Sequence, residues 1–185
     1  MISTSKYWQI AAIVLAGLCA VAANAQETPD PTEVAAQSAA TADGRGPVTN
    51  LPLPRYVSLK GGEANVRRGP SLSHRIDWIF TRPGMPLQVV AEYGNWRRVI
   101  DREGQGGWVH YIMLSGNRTV IVDDDMLQLH SRAADDTPIT AVLESGVIAE
   151  LGSCVIDWCR LSAGGYKGWA PKTALWGVDT DEIKE

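Results

Sequence analysis

Histidine occurs only three times in the chain, at His74, His110 and His130, and never at a metal-binding spacing such as H-E-x-x-H. That pattern removes the common zinc hydrolases. No G-x-S-x-G elbow is present, so the usual route to an activated serine on an α/β scaffold is missing as well. Asp123-Asp124-Asp125 and Asp135-Asp136 are acidic runs, but the D-x-D-x-D-G spacing of a calcium loop is absent. Consecutive aspartates on an extended chain point to opposite sides, and a solvated turn is their ordinary role. Phenylalanine appears once, and no window of a dozen residues carries a helical stripe. A positive excess is also lacking, with 17 Lys and Arg against 21 Asp and Glu. This argues against nucleic acid as the main partner, because affinity there comes chiefly from neutralised phosphates. These absences predict no catalytic residues, no cofactor and no metal site. An unrecognised serine-based activity has no motif to carry it.

Long apolar runs are scarce too. The longest, Ile10 to Ala23, has 14 residues, short of the roughly 20 that cross a bilayer. Lys6 precedes it, and Ala23-Asn24-Ala25 follows as an A-x-A cleavage site before Gln26. Residues 1–25 therefore read as a signal peptide, against the alternative of an uncleaved anchor. The residue before Cys19 is Leu18, too large for a lipid-attachment site, so lipidation is rejected. The mature chain is expected to be periplasmic or secreted, with no membrane span after cleavage.

Cleavage leaves two cysteines, Cys154 and Cys159, and an even pair in an oxidising compartment defaults to a disulfide. It also leaves sixteen bases against 21 acids, a net charge of −5 that is unevenly spread. Residues 55–114 carry nine bases and five acids, whereas residues 115–178 carry five and eight. The basic half either favours an anionic polymer or docks on the acidic half. Residues 26–54 hold five prolines in an Ala/Ser/Thr/Gln mixture with almost nothing large and apolar before Leu51. Such a segment reads as a disordered linker, with a root-mean-square reach on the order of 30 Å. Residues 179–185 form an acidic tail.

What the sequence does contain is one pattern written twice. Asn65-Val66-Arg67-Arg68-Gly69-Pro70, Asn95-Trp96-Arg97-Arg98-Val99 and Gly107-Trp108-Val109 are echoed by Gln128-Leu129-His130-Ser131, Asp157-Trp158-Cys159-Arg160-Leu161 and Gly168-Trp169-Ala170. The offset drifts only from 63 to 61 residues. Internal repeats of this kind imply two like domains in tandem, here 55–114 and 115–178. Within each, short alternating runs are separated by Gly, Asn and Asp turns, which predicts strands in a sandwich or small barrel. Gly69 is expected at a positive φ, with Pro70 fixing the turn. At an offset of 62, Cys154 aligns with Glu92 and Cys159 with Arg97. An opposite-charge pair in one copy and two thiols in the other make sense if those positions face each other across a β-hairpin.

Asn65-Val66-Arg67-Arg68-Gly69-Pro70-Ser71 and Gly107-Trp108-Val109-His110 resemble the signature segments of the bacterial SH3-like (SH3b) family, in its periplasmic tandem form. The match is dense across 55–114. Across 115–178, Leu129-His130-Ser131 stands in place of V-R-x and the Gly-Pro is missing. The resemblance implies an all-β fold of two small SH3-like, partly open barrels, and a binding role towards cell-wall material or peptides.

On that basis Arg67, Arg68, Trp78, Trp108 and Tyr111 form the candidate contact face. Guanidinium groups match carboxylates in a bidentate way, although Arg67, Arg68, Arg97 and Arg98 are equally placed to pair with Glu92 or Asp101. Trp78 aligns with Ala141, so it serves either a ligand surface or the contact between domains. Trp96, Trp158 and Trp169 read as core. The expected function is non-catalytic binding of peptidoglycan or a peptide ligand, with a structural adaptor for another periplasmic protein as the alternative.

Overall fold

The computed structural model describes residues 40–185. The expected signal peptide and the first part of the linker lie outside the described residues. Fourteen strands build two seven-stranded antiparallel sheets. The first contains β1 (Arg55–Leu59), β2 (Ala64–Arg67), β3 (Ile76–Phe80), β4 (Pro86–Tyr93), β5 (Trp96–Ile100), β6 (Gly106–His110) and β7 (Leu114–Ser115). The second contains β8 (Thr119–Val122), β9 (Leu127–His130), β10 (Ile139–Leu143), β11 (Ile148–Cys154), β12 (Trp158–Ala163), β13 (Tyr166–Pro171) and β14 (Leu175–Trp176). The spatial orders, β3-β2-β6-β5-β4-β1-β7 and β10-β9-β13-β12-β11-β8-β14, are the same order applied twice. The doubling in the sequence is thus a doubling of topology. Each sheet curls into a partly open barrel with β3 or β10 at its free edge.

Alternation along the strands sorts the side chains. Val66, Leu87, Val89, Val99 and Val109 turn inward with Leu59 and Phe80 as the first core. Val120, Leu129, Leu151, Leu161 and Ala170 occupy the second, with both cysteines inside it. Full burial of each such Val or Leu contributes about 1.5–3 kcal/mol, enough to hold a domain of this size when its edges are few. Gly107 is required by close approach: a Cβ there would sit 2.7 Å from the Arg67 carbonyl oxygen. Gly69 is different from expectation. It is not among the positive-φ glycines, and its small size serves instead to admit the His74 ring, which a Cβ would meet at 2.4 Å.

The two barrels touch through specific polar contacts. Ser58 Oγ donates to the Asn117 carbonyl (2.7 Å), Thr119 Oγ1 to the Gly84 carbonyl (2.6 Å), and an Arg82 guanidinium nitrogen to the Gly146 carbonyl (2.8 Å). Arg102 reaches Asp123 at 3.2 Å, so part of the first domain's positive charge does face the second. Tyr56 packs edge-on against Trp176, and the Arg118 guanidinium lies over the Tyr56 ring.

The expectation of a disordered linker through residue 54 does not hold for residues 40–54. Arg45 bridges to Pro52, and Leu53 packs against the first core. The turn at 46–49 closes over Glu92, whose carboxylate accepts from the amides of Val48 (3.1 Å) and Thr49 (2.8 Å) and from Thr49 Oγ1 (2.6 Å). A buried anion supplies a polar anchor that the segment's own composition does not reveal. The acidic tail is tied down likewise. Lys184 exchanges backbone hydrogen bonds with Cys154, and Glu182 forms a two-point pair with Arg118 at 3.0 Å.

Candidate functional site

The sheet of the first domain has an outer face as well as an inner one, and the register decides what stands there. Trp96 pairs with His110, Arg97 with Val109 and Arg98 with Trp108. Val109 lies in the core, so Trp96, Trp108 and His110 must point the other way. Trp96 and Trp108 pack with Ala91 and Tyr93 into a small second cluster. Trp96 meets the His110 ring edge-on at 5.3 Å. Beside them opens a groove of about 590 Å³, lined by Glu63, Asn65, Arg67, Leu72, Trp96 and His110, with Ile112 and Met113 at its end.

Each predicted contact residue has a definite place. Arg67 lines the groove, but one of its guanidinium nitrogens donates to the carbonyls of Leu72 (3.0 Å) and His74 (2.6 Å). It therefore holds the β2–β3 loop as a wall. Arg68 is exposed and paired with Asp77 at 3.1 Å. Trp78 is 50% exposed on β3, outside the groove lining, and it has no ring partner among the described residues. Tyr111 is 49% exposed, 5.1 Å from the His110 ring, at the rim. Trp108 corrects the expectation: only 6% of it is exposed, because its indole is enclosed by Trp96 and Ala91 and it cannot form a contact face.

Trp96 was expected in the core and is indeed buried, yet it also forms part of the groove wall. Spacing carried this signal. Trp96 and Val99 are three residues apart on one strand, so an inward Val99 forces Trp96 outward. Leu72 (76% exposed) and Ile112 (55%) are the apolar walls. They sit in a loop and a short 3₁₀ turn, where strand periodicity says nothing. His110 Nδ1 is buried without a hydrogen-bond partner among the described residues. A second cleft, of about 650 Å³, runs between the domains beside Gly116–Thr119. It has no aromatic wall, so the groove is the better-equipped site.

The inner face of the same hairpin is closed. Glu92 opposes Arg97 in register, and its carboxylate meets Arg55 at 2.8 Å and Arg97 at 3.5 Å. Burial pushes the Glu92 carboxyl upward. The hydrogen bonds from Thr49 and Arg55 outweigh that and hold it below its usual range. In the second domain Cys154 opposes Cys159 at the equivalent place, and the two are joined in a disulfide. Among the described residues no cluster of His, Cys, Asp and Glu is arranged to hold a metal ion.

The bacterial SH3 domain family matches residues 60–116 and again 123–177. The chain belongs to that family. Both copies of the bacterial SH3 domain are thus accounted for, including the second, with its missing Gly-Pro. No curated protein matches the sequence significantly. Similar solved structures include NlpC2 and NlpC1 from Trichomonas vaginalis, at 13% and 11% identity, both with a TM-score of 0.32. They cover 68% and 75% of this chain, and this chain covers 50% and 48% of theirs. An NlpC/P60 family protein from Bacillus cereus ATCC 10987 is similar at 14% identity and a TM-score of 0.30, covering 65% of this chain and 55% of its own. The chain therefore spans about half the length of each.

Proposed function

We propose that the protein is an exported, non-catalytic binding protein whose first SH3 domain holds peptidoglycan or a peptide ligand at the cell envelope. The observation that carries this reading is the outer-face groove, with an indole wall, two exposed aliphatic walls and an arginine-braced loop. Concave sites with apolar walls and a few polar groups are what small ligands and peptide segments occupy. Glu63 and Asn65 supply the polar groups here. Membership of the bacterial SH3 domain family supports a binding role, and the leader read from Lys6 to Ala25 supports export.

Co-sedimentation of the protein with purified sacculi, and its retention on immobilised stem peptides, test the reading. Leu72→Asp and Ile112→Asp place a charge on exposed walls and are expected to lower retention at least tenfold, the equivalent of about 1.4 kcal/mol. Trp78→Ala, outside the groove, is expected to leave it unchanged. If neither sacculi nor stem peptides retain the wild type, the reading fails. Recovery of a single protein by crosslinking in the periplasm would then favour the adaptor.

A further inference from the structure

The free edges of the two sheets are unlike in charge and alike in shape. β3 ends the first sheet and β10 ends the second, each five residues long with no neighbour on its outer side. An edge strand offers unpaired amides and carbonyls to any other extended chain, and proteins ordinarily protect such edges with charge. These two edges instead expose apolar side chains. Ile76, Trp78 and Ile79 are 40%, 50% and 44% exposed on β3, and Ile139 and Val142 are 51% and 45% exposed on β10. Their flanks carry opposite charge. Arg68 and Arg75, which flank β3, share the single carboxylate of Asp77 on the strand itself, which leaves one positive charge uncompensated. Asp135 and Asp136 precede β10 and Glu144 follows it, all exposed.

We propose that copies of this chain associate head to tail, β3 of one pairing antiparallel with β10 of the next. Pairing centre to centre sets Trp78 opposite Ala141, a large side chain against a small one. The same register brings Arg75 opposite Glu144. Cross-strand pairs of this kind are the unit of sheet stabilisation. The contact is heterologous, so each added copy leaves one β3 and one β10 free, and growth does not close after two. A single strand pair is a small interface of the weak, transient class.

Sedimentation velocity of the purified protein from about 5 to 500 µM is expected to show mass rising with concentration and falling as salt is added. Ile79→Lys blocks β3, and Val142→Lys blocks β10, both at exposed positions whose fold is checked by circular dichroism. Each variant alone is expected to remain monomeric. An equimolar mixture is expected to form a species that stops at two copies, because one free edge of each sort remains. Arg75→Glu and Glu144→Arg, both outside the strands, are each expected to weaken wild-type association several-fold, and the double variant to recover it. A wild type that stays monomeric throughout, a blocked variant that still associates alone, or a mixture that does not pair would overturn the proposal.

Discussion

At one position on the β4–β5 hairpin of the first domain the chain places Glu92 facing Arg97, and at the matching position of the second it places Cys154 facing Cys159. Both pairs lie on the inner face and both are buried. Both are also covered by a segment from outside the repeat. Residues 46–49 fold back over Glu92, while Lys184 runs alongside Cys154. The same geometric task, fastening a hairpin and the flanking segment laid over it, is solved once by an ion pair and once by a covalent bond. The difference lies in what undoes them: protons and single substitutions for the first, reductant for the second.

The outer faces differ as well. Arg67 in the first domain turns towards loop carbonyls, leaving the groove beside Trp96 free. Its counterpart His130 is buried, donates through Nδ1 to the Thr137 carbonyl (3.1 Å), and lays its ring edge-on against Trp158 at 5.5 Å. Lys172, the counterpart of Tyr111, is buried too and donates to the tail carbonyls of Thr180 (3.0 Å) and Glu182 (2.6 Å). In the second domain these positions pack the protein against itself. In the first they border a groove.

The sharpest way to break this symmetry is Glu92→Ala. It strands two buried guanidinium groups and unties the 46–49 turn, and is expected to cost about 3–5 kcal/mol, since removing one partner of a buried pair leaves the other uncompensated. Urea unfolding measures it, and hydrogen exchange is expected to place the loss in β4 and β5 with the second domain unaffected. Reducing the disulfide, or replacing Cys154 and Cys159 with Ser, is expected to act on the other copy. A loop this short contributes about 2 kcal/mol on the chain-entropy model, and unfolding with and without reductant reads it directly. Loss confined to the first domain would contradict the comparison.

The smallest expected effect is pH dependence, and it has opposite signs in the two halves. Glu92 titrates below its usual 4.5 in the folded state. Its contribution is therefore complete above about 4.5 and is lost as pH falls through the lower folded value. Burial, helped by the nearby Glu182 charge, raises Asp179 above 3.8. Its contribution is present below 3.8 and is lost as pH rises through the raised value. Protection of the Thr49 amide, corrected for the intrinsic exchange rate, is expected to fall below pH 4.5 in the wild type but to change little with pH in Glu92→Gln. The change at Asp179 is expected to run the other way.

Much of this architecture was legible without coordinates. The period-two runs, the tryptophans at a drifting offset and the alignment of Glu92 and Arg97 with the cysteines depend on local spacing, which a linear sequence records faithfully. The groove was only partly legible. Arg67 does line it, whereas Tyr111 stands outside its lining and Trp108 is enclosed, because choosing the outer face requires knowing which strands are neighbours and what covers them. The β3–β2–β6 adjacency brings Leu72, Trp96 and Ile112 together from residues far apart in the chain.

The amino-acid order by itself determined that there are two all-β domains, which residues face each other across their hairpins, and that the cysteines pair. These follow from the alternation of side chains along a strand and from the fixed reach of a short loop. Tertiary structure alone decided that residues 40–54 belong to the first domain, that Trp108 is enclosed, and that a groove lies beside Trp96. Each of these depends on contacts between distant segments, where the burial of one group, such as the Glu92 carboxylate, sets the conformation of another more than forty residues away.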